Sequence, residues 1–296
     1  MDKETQQAML LAGLALLMWS TVATAFKLTL QFCTPYQLLF VSVITAALIL
    51  TPTGFMTSRN KKIEKKGIYQ ALGTGLLMPL LYYTVLFIAY DRLPAQSAQI
   101  INFTWPVFMA IAAMILNREP VNFYRILFLF VSLTGAVVVI TQGTFRLRGI
   151  DDGWGSFLAF GSALLWTTFW MVQSSNPLPS VLRMGLFFTS ASCVMILLAV
   201  GGFSLIPTSP KAWLGGIYVG LFEMSLPFLV WQKALEKTHS VAIISNVIYL
   251  SPFLSLIYIH TILGETIHRS SLAGLLLISI GLLFQINLRN KKEKNN

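Results

Sequence analysis

Trp105-Pro106, followed by Glu119 and Gly135, and Ser251-Pro252, followed by Glu265 and Gly281, are the stretches that decide the fold of this chain. The proline, the glutamate and the glycine of the first set each recur 146 positions later in the second. A related echo, at 147 positions, links Trp19-Ser20-Thr21 to Trp166-Thr167-Thr168. One shared residue would be chance. Three at a single offset, with a matching tryptophan near them, mark an internal duplication that divides the chain into residues 1–142 and 143–296.

The duplicated segments lie in a very apolar background. Of 296 residues, 55% are hydrophobic and 11% charged, with a mean hydropathy of +0.71. An ordinary soluble domain carries roughly 25% charged residues, so this chain lacks the polar surface to face water. A bilayer-spanning helix needs about 20 apolar residues. Apolar runs predict helices over 9–28, 36–53, 67–90, 95–117, 122–141, 153–172, 181–202, 212–233, 240–263 and 271–289. The runs are continuous rather than alternating, which favours helices over barrel strands. Turn chemistry falls between them, at Pro52 and Gly54, Arg59-Asn60-Lys61-Lys62, Arg118-Glu119-Pro120, Asp151-Asp152-Gly153, Pro177 and Pro179, and Pro207 and Pro210. Ala23-Thr24-Ala25 has the look of a signal-peptidase site. The preceding Asp2-Lys3-Glu4 lacks a positive flank and Trp19 stands just before the cut, so the first helix is expected to be retained.

The expected fold is therefore an all-α integral membrane protein of ten transmembrane helices, five per copy. Five is odd, so the second copy enters the membrane from the opposite side. Such inverted-topology repeats place a substrate site near the midplane, between the halves. With the N-terminus inside, fifteen Lys and Arg fall on the cytoplasmic side against six on the other, which predicts that both termini are cytoplasmic. The net charge of +10 is thereby read as topology and not as a nucleic-acid footprint.

In this order and in duplicate, Trp19-Ser20, the Ala89 to Pro106 stretch, the Pro106–Glu119–Gly135 spacing and their echoes at Trp166, Pro252, Glu265 and Gly281 resemble the drug/metabolite transporter superfamily, in its ten-helix form with two EamA-type repeats. The resemblance covers nearly the whole chain. It implies a transporter fold with a central cavity and a cell-membrane address, and leaves the substrate open among amino acids, metabolites, sugars and drugs. The second half has Thr167 where the first has Ser20, and Ser251 where it has Trp105, so the two cavity walls are chemically unequal.

Ionisable groups in hydrocarbon are costly and ask for a partner or a purpose. Glu223 lies in mid-run, and its two readings are a proton-coupling or substrate-binding carboxylate and a structural acid bonded to a neighbouring helix. Pro227, four residues on, frees a carbonyl at that depth. Lys27 shares a helical face with Trp19 and Ala23. It either receives a substrate carboxylate or Glu223, or snorkels to the headgroups. Trp19, Trp105, Trp166, Trp170, Tyr82, Tyr83 and Tyr249 are candidate walls for an amphipathic solute, with interface anchoring and core packing as the competing roles. Asn102, four residues before Pro106, and Asn246, six before Pro252, offer amides to substrate or to carbonyls released by the prolines. Glu119 and Glu265 are assigned to structure, each favouring the positive end of the helix that follows it. Gly216 and Gly220 form a GxxxG face suited to close helix contact.

Cys33 and Cys193 lack CxxC spacing, and His239, His260 and His268 are scattered, so neither metal nor cofactor is expected. No Walker loop signals ATP, and no nucleophile, base and orienting group can be assembled into an enzyme. The expected partners are a small-molecule substrate, the lipid bilayer and, through Glu223, a proton; the oligomeric state is not read. The function expected is secondary active transport of a small organic solute by alternating access, with export first. Import or exchange is the nearest alternative. A membrane sensor or assembly subunit has no need of inverted duplication, and a membrane enzyme would cluster Asp, His or Arg at one interface.

Overall fold

The computed structural model describes residues 3–116, 123–144, 152–237 and 247–293, and all the regular structure there is helical. In the first half α1 is Lys3–Leu30, α2 Pro35–Thr57, α3 Lys65–Gly75, α4 Tyr82–Arg92, α5 Ala95–Asn102, α6 Trp105–Leu116 and α7 Phe123–Ile140. In the second, α8 is Gly153–Gln173, α9 Ser180–Val200, α10 Pro210–Phe222, α11 Leu226–Lys237, α12 Ser251–Tyr258 and α13 Arg269–Glu293. Among the described residues, 6 helices are long and apolar enough to cross a membrane, with shorter apolar helices at Ile126–Ile140, Ile248–Leu263 and Arg269–Gly281.

The helix ends follow from local chemistry. Thr34 and Gln37 form a reciprocal capping box ahead of Pro35 at the start of α2. The Asp152 carboxylate accepts from the Gly155 N–H (2.8 Å) to cap α8. Pro52 and Gly54, expected in a turn, lie inside α2 instead. Gly54 lets α9 approach until an added Cβ would stand 2.5 Å from the Leu182 Cα.

Four breaks interrupt runs that read as continuous helix in the sequence. Met78, with φ −138° and ψ 123°, separates α3 from α4 next to Pro79. Residues 223–225 separate α10 from α11, 103–104 separate α5 from α6, and a short 3-10 turn at Ile248–Leu250 precedes α12. The breaks come in pairs at the duplication offset: 78 with 224, and 103–104 with 249–250. Prolines explain them, because each lacks the N–H that would bond the carbonyl four residues back. Pro227 thus leaves the Glu223 carbonyl free, and the Trp19 indole N–H donates to it (3.4 Å).

Helix packing repeats across the halves. α1 lies on α10 and α11 as α8 lies on α4, and α2 lies on α10 as α9 lies on α3. Gly75 sits against Phe187 and Ser190, and Gly220 against Ser42 and Thr45, so both members of the contact shift by 145 positions (75 to 220, 42 to 187, 45 to 190). The duplicated glycines occupy one seam, between α7 and α13. A Cβ on Gly135 would meet the Gly274 carbonyl at 2.5 Å, and one on Gly281 would meet the Phe128 carbonyl at 2.6 Å. These contacts make α7 and α13 antiparallel. In α2 and α9, Gly54 faces Leu182 while Gln37 reaches the Ser204 carbonyl, so that pair is antiparallel too.

At one end of the bundle the turn between α4 and α5 is held from three directions. Lys27 Nζ donates to the carbonyls of Tyr90 (2.8 Å), Asp91 (3.3 Å) and Leu93 (2.8 Å). Glu265 accepts from the N–H groups of Ala95 (2.8 Å) and Gln96 (3.3 Å). Arg92 pairs with Asp152 at 2.8 Å. Two expectations are corrected here. Lys27 does not pair with Glu223, because its ammonium is taken up by the carbonyl end of α4. Glu265 does serve a helix N-terminus, but that of α5 in the other half rather than of α13. Glu119 and Asn246 lie outside the described residues.

Candidate functional site

Three of the four breaks, at 103–104, 223–225 and 248–250, border a cavity of about 200 Å³. Trp19, Ala23 and Phe26 enter it from α1, Tyr82 from the first turn of α4, Gln99 and Asn102 from the end of α5, and Trp105 from the start of α6. The second half contributes Trp166 and Trp170 from α8, Glu223 from the α10–α11 break, Phe228 and Trp231 from α11, and Ile248 and Ser251 from the turn into α12.

Much of this wall is built from duplicated positions. Trp19 and Trp166, and Ala23 and Trp170, stand 147 residues apart; Tyr82 and Phe228, Asn102 and Ile248, and Trp105 and Ser251 stand 146 apart. The cavity therefore lies where the two halves present equivalent surfaces to each other. Its chemistry is unequal, because several pairs match a polar residue with an apolar one.

Glu223 is the acidic group of the wall among the described residues. Its Oε1 accepts from the Tyr83 hydroxyl at 2.9 Å, while Oε2 is buried without a hydrogen-bond partner. Tyr83 is itself fully buried behind Tyr82, with ring centroids 4.7 Å apart. Gln99 Oε1 is likewise buried and unpartnered. The Asn102 amide donates to Ser162 on α8 (2.8 Å), and the Thr167 hydroxyl donates to the Trp105 carbonyl (3.1 Å), which ties the α5–α6 break to α8. The aromatic groups interlock: Trp19 lies edge-on to Phe228 at 5.3 Å and 5.6 Å from Trp231, and Trp166 lies 4.9 Å from Tyr82.

Of the residues singled out in the sequence, Trp19, Tyr82, Asn102, Trp105, Trp166, Trp170 and Glu223 come together at this cavity. Tyr83 supports Glu223 from behind, and Tyr249 packs against Phe103 at 6.3 Å, outside the lining. Lys27 stands apart at the α4–α5 turn. Sequence reasoning missed Gln99, Phe228 and Trp231. Gln99 had a readable signal, being three residues before Asn102 on the same helical face.

The chain matches the EamA-like transporter family twice, over residues 6–141 and 153–286. It belongs to that family, a group within the drug/metabolite transporter superfamily, and is a multi-pass membrane transporter by class. It is 26% identical over 272 residues to an uncharacterized transporter of Clostridium kluyveri, covering 88% of this chain and 86% of that one. An uncharacterized transporter of Archaeoglobus fulgidus is 22% identical over 288 residues, covering 94% of this chain and 98% of its own. The human protein Solute carrier family 35 member G1 is 28% identical over 228 residues, which are 69% of this chain and 57% of that protein. A solved crystal structure with 17% identity superposes with a TM-score of 0.65 over 95% of this chain and 98% of its own, a likeness of fold. These relatives are transporters by name, not enzymes.

Proposed function

We propose that the chain is a secondary active transporter that exports a small amphipathic organic solute across a prokaryotic plasma membrane by alternating access. In this reading the protein has ten transmembrane helices, arranged as two inverted five-helix repeats over residues 1–142 and 143–296, with both termini cytoplasmic. One observation carries it: the cavity is walled by pairs of equivalent residues from two halves whose corresponding helices, α7 with α13 and α2 with α9, run antiparallel. Oppositely inserted copies around one chamber give two related ways of opening it, one to each side. The paired helix breaks support the same reading, since broken helices in transporters border the solute site.

Glu223 supplies the coupling group. A buried carboxylate with one oxygen bonded to Tyr83 and the other free at the cavity can hold a proton or a solute, and exchange of the two drives antiport. Flux of a panel of amino acids and cationic drugs in proteoliposomes under an imposed pH gradient tests this. The native protein is expected to move at least one solute against a matched control, and Glu223→Gln to lose the acceleration by the gradient. Equal gradient-driven flux in the two proteins removes the proton. The direction is read from vesicles of sorted orientation, and the topology from reporter fusions at each terminus.

A further inference from the structure

From the cavity's unmatched hydrogen-bonding groups we infer that the solute is a protonated amine, read through its N–H bonds and carrying no free carboxylate. The inference rests on the transport reading for the cavity's role and narrows the solute class within it. Two oxygens are buried at the cavity without partners: Gln99 Oε1, which only accepts, and Glu223 Oε2, which only accepts when the carboxyl is ionised. Buried acceptors of this kind are normally satisfied, so the missing complement is a donor. Glu223 when ionised also needs a positive charge, because an unpaired buried anion is strongly disfavoured. Among the described lining residues there is no lysine or arginine to supply it.

Lys27 decides the other half of the question. It is the cation the sequence offered for a solute carboxylate, and its ammonium is already used by three carbonyls at the α4–α5 turn. Among the described lining residues, a zwitterionic amino acid would therefore find a counter-charge for its ammonium and none for its carboxylate. The remaining wall suits the body of an arylalkyl amine. Trp19, Trp166 and Trp231 offer aromatic faces, which attract a cation as well as an apolar ring. The volume of about 200 Å³ fits a solute of one ring and a short chain.

The test uses the purified full chain in detergent and radiolabelled phenethylamine as probe, competed by its N-methyl, N,N-dimethyl and N,N,N-trimethyl forms and by phenylalanine. Phenethylamine and its N-methyl form, each with an N–H for both acceptors, are expected to compete within a few-fold of one another, and the N,N-dimethyl form, with one, less well. The trimethyl form and phenylalanine are expected to compete at least ten-fold less well. A graded loss that begins with the first methyl reports size rather than N–H bonding and overturns the inference, as does a trimethyl form that competes equally. Glu223→Gln should lose ten-fold or more in probe affinity, with Glu223→Asp recovering part of it. Cooperative melting of each variant separates lost binding from lost folding. If phenylalanine competes best, the amine assignment falls while the transport reading stands. If no compound of the series binds to cooperatively melting protein, the amine assignment also falls, and flux of the wider solute panel then judges the transport reading on its own.

Discussion

Glu223 shows how differently one side chain's two atoms can be placed. Oε1 is held by Tyr83 and Oε2 is left to the cavity. Tyr83→Phe would leave both oxygens unbonded, and we expect a stability loss of about 1–3 kcal/mol, read as a lowered unfolding midpoint in detergent. Lys27 is the opposite case, with its ammonium fully engaged away from the cavity. Lys27→Met should cost about 1–3 kcal/mol by exposing three carbonyls without a donor, while solute affinity stays within two-fold in the same preparation. Glu223 was legible in the sequence because a carboxylate in mid-run must face the bundle interior. The role of Lys27 was not, because a lysine near a helix end has several polar neighbours within reach and only tertiary packing decides which is nearest. Phe228 and Trp231 were missed for a related reason: a ring on an apolar helix does not announce which face looks into a cavity, whereas Gln99 shares the face of Asn102 and could have been read from it.

At the scale of the helix, the duplicated glycines and the broken segments separate what was readable from what was hidden. Gly135 and Gly281 stood out by their common spacing, and both fill the α7–α13 seam where backbone meets backbone. Gly135→Ala forces its Cβ against the Gly274 carbonyl, which cannot swing aside. We expect a loss of about 1–3 kcal/mol, of the kind seen for overpacking. Gly161→Ala is the matched control, because nothing lies within 4 Å of the added Cβ on α8. That change should be neutral or stabilise by up to about 1 kcal/mol. Hydropathy is blind to a lost hydrogen bond, so the breaks near Pro106, Pro227 and Pro252 were signalled only by the carbonyls those prolines free, and the one at Met78 was hidden. Residues 67–90 remain apolar through Met78, so only Pro79 hinted at an interruption there. The far partner of Glu265 was equally unreadable, since the acid sits next to one helix in sequence and against another in space.

The cap on α8 gives a pH test at the same scale. The Gly155 N–H, and then Arg92, hold the Asp152 carboxyl below its ordinary value of 3.8. A carboxyl lowered by folding lends its stabilisation above the ordinary value and loses it as pH falls through the lower, folded one. The start of α8 should therefore stay protected through neutral and mildly acid conditions. The protection factor of the Gly155 amide, with the intrinsic pH dependence of exchange divided out, should fall only below about pH 4.

Across the whole molecule, the sequence conveyed the two-part plan and the position of the cavity wall, because duplicated tryptophans and prolines carry their spacing openly. What it concealed is how far the copies have diverged in task. Trp19 and Trp166 face the same chamber, yet Trp19 also serves the carbonyl freed by Pro227. Trp19→Phe removes that N–H and keeps a ring, and should lower stability by about 0.5–1.5 kcal/mol relative to Trp166→Phe in parallel melts. The carboxylate is the sharper asymmetry, for 146 positions before Glu223 stands Leu77, which is uncharged and lies outside the cavity lining. Two identical walls would hold a solute equally well in either of two poses related by half a turn. With an anion contributed by one half and no matching one from the other among the described lining residues, that degeneracy is lifted in the transport reading proposed above: a solute held there docks one way round, its head told from its tail.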